Sequence, residues 1–162
     1  MDTKNLSILD AAQIRVLGAL MEKSKTTPDY YPMTLNGLAA ACNQKTSRKP
    51  VVQYDDSTIS TALNALKIAG LISTATGGSI RNIKYKHNFA IVFPVLPSEV
   101  AVMCLLFLRG PQTPGEINTN SGRLYEFETL EEVSQTLEKL ASEGYIKQLP
   151  KRPGQKEQRY MH

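Results

Sequence analysis

Ile59, Leu63, Leu66, Gly70 and Ile72 recur as Val133, Leu137, Leu140, Gly144 and Ile146 at one constant offset of 74 residues. An offset that stays fixed across a helical stripe, a glycine and the apolar residue beyond it means that one supersecondary unit is used twice. Spacings of three and four put Ile59, Leu63 and Leu66 on one side of a helix, and Val133, Leu137 and Leu140 on the same side of its counterpart. The glycine after each stripe stops the helix, and the residues that follow predict strands over 71–75 and 145–149.

The repeat extends upstream. Asp10, with Gln13 three residues on, forms a capping box ahead of Ile14, Leu17, Leu20 and Met21. Pro97 and Ser98 open a matching segment in which Val102, Leu105, Phe107 and Leu108 run to a helix-ending Gly110. The offset there is 88, so the first copy holds extra loop before its third helix. Thr34 and Thr113 each cap a short middle helix. Hairpins are expected to turn at Gly77-Gly78-Ser79, returning over 80–86, and at Pro153-Gly154, returning over 158–160. Three helices followed by a β-hairpin is the order of a winged helix-turn-helix module. The predicted fold is therefore mainly α with small β-wings (α+β), as two tandem winged helix-turn-helix domains over residues 1–94 and 95–162.

A chain of 162 residues accommodates two such units, each with a modest core. Apolar residues at 41% and charged residues at 21% are the proportions of a folding chain. The longest apolar stretch, 89–96, is far short of the roughly 20 residues that cross a bilayer, and the N-terminal residues lack a signal-peptide pattern, so the expected location is cytoplasmic. Cys42 and Cys104 are the only cysteines, and both fall within apolar helical patterns, which predicts buried thiols rather than a disulfide.

Net charge is +4, with a pI near 9.1, and it is unevenly placed. Residues 1–94 hold eleven Lys and Arg against six Asp and Glu, whereas 95–162 hold eight against nine. In the first copy, turning Ile59, Leu63 and Leu66 inward turns Ser57, Ser60, Thr61 and Asn64 outward, with Lys67 at the margin. These small hydrogen-bonding side chains suit contacts to base edges or phosphates, and equally an ordinary solvated helix face. Lys45, Arg48 and Lys49 in the preceding loop, with Arg81, Lys84 and Lys86 in the wing, are candidate phosphate contacts on either side of that helix, or else scattered solubilising charges. Asp55 and Asp56 oppose DNA there but are explained as helix-capping acids. Ile68 also points outward, which favours a domain or partner contact. In the second copy the outward positions are Glu131, Ser134, Gln135, Glu138 and Ser142, a face better matched to protein association. Its wing carries Lys151, Arg152, Lys156 and Arg159, a possible second contact to a nucleic-acid backbone or simply a charged, soluble hairpin.

No catalytic, cofactor or metal site is expected. His87 and His162 are the only histidines, and neither lies in a pattern that pairs a nucleophile with a base. Cys42, His87, Cys104 and His162 are too widely spaced for a zinc motif. Glu131-Glu132 and Asp55-Asp56 fall in helical first turns, where acids complement the dipole, and Gly77-Gly78 lacks the Lys-Ser or Lys-Thr ending of a phosphate loop. The loop Thr26-Thr27-Pro28-Asp29-Tyr30-Tyr31-Pro32 sets two tyrosines between prolines, either to pack over the core or to meet a partner or bases.

These stretches resemble the YceH-like family of uncharacterised bacterial proteins, over nearly the whole chain. The resemblance is carried by Arg15-Val16-Leu17-Gly18 through Glu22-Lys23, by Thr26-Thr27-Pro28-Asp29 with Tyr31-Pro32, and by Ala41-Cys42-Asn43-Gln44-Lys45 with Arg48. It continues through Leu108-Arg109-Gly110, Gln112-Thr113-Pro114-Gly115-Glu116, Arg123-Leu124-Tyr125 and Arg159-Tyr160-Met161-His162. The sequence departs from the family pattern at Lys49, where an acid is common, and at Pro111. The resemblance implies tandem winged helices in a bacterial cytosol, and it assigns no activity or binding residues.

Together these observations lead to the expectation of a non-enzymatic DNA-binding protein, a transcriptional regulator or nucleoid accessory factor, that uses the first domain and reserves the second for a protein partner or homodimer. The alternative is a non-catalytic protein-protein adaptor built on the same domains. No membrane partner or small-molecule substrate is indicated.

Overall fold

Asp10 accepts a hydrogen bond from the Gln13 backbone N–H at 2.8 Å, while the Gln13 side chain accepts from the Asp10 N–H at 3.1 Å. This reciprocal pair satisfies two orphan donors and starts the first helix where the sequence places it. The structure, a computed structural model, describes residues 9–76, 83–154 and 156–162.

Helix α1 (Ala11–Thr26) is followed by a 3-10 turn (Pro28–Tyr30), α2 (Leu35–Cys42), α3 (Asp56–Ile68) and strands β1 (Ile72–Thr76) and β2 (Ile83–His87). A short helix α4 (Phe89–Val92) leads into α5 (Pro97–Arg109), α6 (Pro114–Asn120), α7 (Leu130–Ser142) and strands β3 (Lys147–Gln148) and β4 (Tyr160–Met161). The chain is mainly helical with two small antiparallel sheets, β1 with β2 and β3 with β4. Ile72 pairs with His87 and Thr76 with Ile83 in the first sheet, and Gln148 pairs with Tyr160 in the second. The succession of three helices and a two-stranded sheet thus occurs twice. The Gly77-Gly78-Ser79 turn, Ile80 and Arg81 lie outside the described residues.

A further detail repeats with it. Met33, just before the Thr34 cap of α2, bridges antiparallel to Tyr85 on β2, and Gln112, just before the Thr113 cap of α6, bridges to Tyr160 on β4. Both helices that precede a sheet end at a glycine of positive φ, Gly70 at 79° and Gly144 at 86°. That left-handed geometry costs any residue with a Cβ and is the reason glycine recurs there.

The first helices depart from the single apolar stripe expected of each. Residues 14–22 of α1 and 99–108 of α5 are buried without a break. The reason is that α1 packs against α2 and α3 of its own copy and, most extensively, against α5 of the other. A helix covered on all sides buries all its faces. In place of two modest cores, the buried side chains form one continuous cluster. Phe89 and Phe93, both fully buried, stitch the linker into it, with Phe89 edge-on to Phe107 at 5.9 Å and Phe93 edge-on to Tyr145 at 5.7 Å. Such edge-to-face pairs add roughly 0.5–1.5 kcal/mol each beyond the area they bury. The nearly fully buried Glu99 of α5 receives Lys139 of α7 at 2.6 Å, which ties the third helix of the second copy to its first.

Cys42 and Cys104 are buried free thiols. Burial pushes the Cys42 thiol up to about 12 and the Cys104 thiol still higher, so neither presents a thiolate at neutral pH.

Candidate nucleic-acid interface

The outer face of α3 begins at its cap. Asp55 accepts from the Thr58 N–H at 2.8 Å, and hydrogen bonding to Thr58 holds its carboxyl below the usual range. Ile59, Ala62, Leu63 and Leu66 are buried, which leaves Ser57, Thr61, Asn64 and Lys67 exposed and Ser60 half-buried. Ile68 follows at 89% exposure, a large apolar side chain in water at the end of the same helix. The N-terminal part of the face is not bare. Ser57 and Thr61 line a shallow depression of about 250 Å³ shared with Asp10 and Gln13 of α1. Three acids, Asp10, Asp55 and Asp56, therefore gather at this end, and Asn64 with Lys67 forms the part best suited to meet a polyanion.

The loop before α3 is built into the core, which corrects one candidate contact. Arg48 is only 7% exposed; its guanidinium donates to both Glu22 carboxylate oxygens, at 2.7 and 3.0 Å, and to the Ala41 carbonyl at 2.9 Å. With a further bond from Nη1 to the Ser47 carbonyl at 2.9 Å, its donors are spent within the fold and are not presented outward as the phosphate contact that the sequence suggests. Arg15, also buried, donates to the carbonyls of Cys42 and Pro50 at 3.0 and 2.6 Å. Burial and the nearby Arg48 charge lower the Arg15 pKa. Asn43 and Tyr54 close the base of the loop through a pair of hydrogen bonds at 2.7 and 2.9 Å. Lys45 and Lys49 keep exposed side chains, but the Lys49 N–H donates to the Leu108 carbonyl of α5 at 2.9 Å. The Lys49 backbone thus sits at the junction with the second copy.

On β2, Lys84 and Lys86 are both exposed, two apart and hence on one face. Lys84 lines a groove of about 480 Å³ with Tyr30, Tyr31, Thr34 and Gly37, which places it beside α2. The two tyrosines divide their roles. Tyr30 is 78% exposed, whereas Tyr31 is half-buried, its hydroxyl oxygen accepting from the His87 N–H at 2.7 Å, and burial raises its pKa.

A family model described as a protein of unknown function, DUF480, matches residues 9–155. The chain belongs to the DUF480 family. It is 53% identical over 152 residues to a UPF0502 protein of Solibacter usitatus, covering 94% of this chain and 73% of that protein. It is 45% identical over 160 residues to a UPF0502 protein of Opitutus terrae, covering 97% of this chain and 70% of the relative. A UPF0502 protein of Shewanella sp. (strain W3-18-1) is 46% identical over 155 residues, with 92% and 70% covered. The resemblance to the YceH-like bacterial family is borne out by these relatives.

In this DUF480 chain the second copy presents a different surface. Glu131, Gln135, Glu138 and Ser142 are exposed on α7, and Ser134 is half-buried. Lys151, Arg152 and Lys156 are exposed around the β3–β4 connection, and Arg159 is half-buried. The strands there are shorter than the sequence predicts, because Tyr145 and Ile146 turn into the core before pairing begins at Lys147.

The features that sequence reasoning missed are the charges used inside. Arg15 and Glu22 lie seven residues apart on a helix whose neighbours at the same spacing are apolar, and charged residues kept on an apolar face were the available signal. Among the described residues, no group of three or more His, Cys, Asp or Glu is placed to hold a metal ion, and no helix is long and apolar enough to cross a membrane.

Proposed function

We propose that this DUF480 chain consists of two winged helix-turn-helix units, residues 1–94 and 95–162, and that it acts by binding DNA through the first. The twofold succession of three helices and an antiparallel hairpin, with the Met33–Tyr85 and Gln112–Tyr160 bridges at matching places, supports the architecture. The observation that carries the function is the exposed face of α3, where Asn64 and Lys67 stand beside Ser57 and Thr61 with no side chain of the fold covering Lys67 or Asn64. In such modules the third helix enters the major groove and the wing follows the backbone. Lys86 on β2 supplies a backbone contact, with Lys45, Lys49 and Lys84 as outlying cations. The acidic α7 face suits association with a protein or a second copy.

The test is fluorescence anisotropy with a labelled mixed-sequence duplex at 50 and 200 mM salt. With about four phosphates engaged, affinity falls roughly a hundredfold over that range. Binding that is absent, or that ignores salt, rejects the DNA reading.

One observation favours a second reading, a non-catalytic protein adaptor. Ile68 at 89% and Ile91 at 85% exposure are apolar side chains of the kind that partners cover. Retention of a protein partner by the native chain, and its loss in Ile68→Ser, supports this reading over the first.

A further inference from the structure

We propose that the cleft where the two copies meet binds a small organic dianion, a phosphate ester or a dicarboxylate. The cleft has a volume of about 360 Å³ and lies between α1, the loop after α2, the end of α5 and the turn after α6. Lys23, Arg109 and Arg123 all line it, against the single carboxylate of Glu22. That carboxylate is already taken by Arg48, which grips both its oxygens from within the core. Lys23 lies 3.4 Å from the same carboxylate and donates to Gln44 Oε1 at 3.0 Å, so the excess positive charge of the cleft rests on Arg109 and Arg123.

The donors of the two arginines are largely unspent. Arg109 makes no ion pair among the described residues, and its buried Nε has no hydrogen-bond partner; nor has the buried Thr26 Oγ1, which lines the same cleft. Buried polar atoms are normally satisfied, and both of these orphans belong to residues that line this one cleft. Arg123 gives one N–H to the Thr26 carbonyl at 3.3 Å, a contact that crosses from the second copy to the first, and keeps its remaining donors. Guanidinium forks suit the paired oxygens of a phosphate or carboxylate.

The shape selects a small molecule. Leu105 and Leu108 form an apolar part of the lining, and the volume falls at the lower end of the roughly 300–1,000 Å³ range of ligand sites, too confined for a duplex. Because its two walls come from different copies, a bound dianion favours the arrangement of the halves seen here over any in which they separate.

The test titrates pyrophosphate, inorganic phosphate and succinate separately into the full chain at constant ionic strength, with chloride as reference, reading the thermal midpoint. A saturable rise of about 3 °C at ten times Kd is expected from at least one oxyanion. Arg123→Gln, at an exposed position, and Arg109→Gln each weaken that binding about tenfold or more, and the hairpin control Lys151→Gln/Lys156→Gln retains it. Far-UV circular dichroism checks that the variants fold. Preference for inorganic phosphate or pyrophosphate over succinate assigns a phosphorylated ligand, and preference for succinate a dicarboxylate. No saturable rise, or an equal rise in the arginine variants, overturns the proposal. If duplex DNA displaces pyrophosphate and Arg123→Gln weakens duplex binding as well, the cleft belongs to a DNA surface and the small-ligand proposal falls. Pyrophosphate binding by a chain that ignores DNA upholds it and removes the DNA reading alone.

Discussion

Leu108 of α5 lies so close to Gly18 of α1 that a Cβ on Gly18 would stand 3.0 Å from the Leu108 side chain and 3.1 Å from the Phe107 Cβ. Leu108 and Phe107 are themselves buried, so neither retreats without disturbing the core that joins the copies. Gly to Ala within a helix ordinarily stabilises by about 0.8–1 kcal/mol. Overpacking at such a contact costs about 1–3 kcal/mol and outweighs it. Gly18→Ala is therefore expected to lose about 1 kcal/mol, and Gly18→Val, larger and β-branched, about 3 kcal/mol. Urea unfolding measures both, and a stabilised Gly18→Ala would show that the helices part more readily than this contact implies.

The Arg48–Glu22 pair makes a second prediction. Burial pushes the Glu22 carboxyl up, but the hydrogen bonds and charge of Arg48, with help from Lys23, outweigh burial and hold it below the ordinary range. Arg48→Ala leaves that buried carboxylate with only Lys23, 3.4 Å away, and is expected to cost about 3–5 kcal/mol. Arg48→Lys recovers only part, because an ammonium cannot replace the two-pronged contact and the Ala41 bond together. A carboxyl whose pKa is depressed by folding contributes stability that is complete above its unfolded pKa and is lost as pH falls through the folded one. The gap between the wild type and Arg48→Ala should narrow between pH 7 and pH 3.5, as read by chemical denaturation at each pH.

These two contacts also mark where the sequence stops being legible. Caps at Asp10, Thr34, Asp55 and Thr113 bond backbone groups three residues away, and a local pattern reveals them. The outward turn of Asn64, Lys67 and Ile68 follows as directly from the spacing of Ile59, Leu63 and Leu66. Arg48 stands between Lys45 and Lys49 and reads as one of three solvated charges; its partner Glu22 is 26 residues away, and only the packed fold brings them together. Gly18 has no local reason to be glycine until α5 is laid against it. The continuous core was hidden for the same cause, since it depends on how two repeats meet and not on either repeat alone. For the candidate interface, the helix face was readable, but the placement of Lys49 at the α5 junction and of Lys84 beside α2 was not.

His87 carries a pH dependence of its own. Its Nδ1 accepts from the Phe89 N–H at 3.2 Å, which fixes the tautomer with the proton on Nε2, directed at Ser24 Oγ 3.3 Å away. The Ser24 hydroxyl in turn donates to the Met21 carbonyl. Burial, with the Lys25 charge, pushes the His87 pKa down to about 4. The unfolded chain takes up this proton near pH 6.5 and the folded chain only near 4, so this contribution is complete above about pH 6.5 and is lost as pH is lowered towards 4, by up to about 3 kcal/mol. His87→Asn keeps an acceptor for Phe89 without the titration and should flatten the fall. A residual slope of the same sign is expected from His162, which burial also lowers. Thermal midpoints between pH 7 and pH 4.5 test this, and an unchanged slope in His87→Asn would assign the effect elsewhere.

The DNA reading predicts different consequences for two groups of side chains that the fold keeps apart. Lys49, Lys67 and Lys84 are exposed, so replacing each by Ser leaves the core untouched. A lysine that meets a phosphate lowers the salt slope of duplex binding by about one when it is removed, uniformly across sequences. Asn64 at mid-helix acts otherwise if it reads a base edge: Asn64→Ala costs about 1–3 kcal/mol on a preferred sequence and little on a random one. Because Lys67 shares the α3 face with Asn64, whereas Lys49 sits at the α5 junction and Lys84 beside α2, Lys67→Ser should show the largest loss of the three. Equal affinity in Lys67→Ser and Asn64→Ala, measured by anisotropy on the same duplexes, would move the contact off α3 and leave its exposed end, with Ile68, to a protein partner.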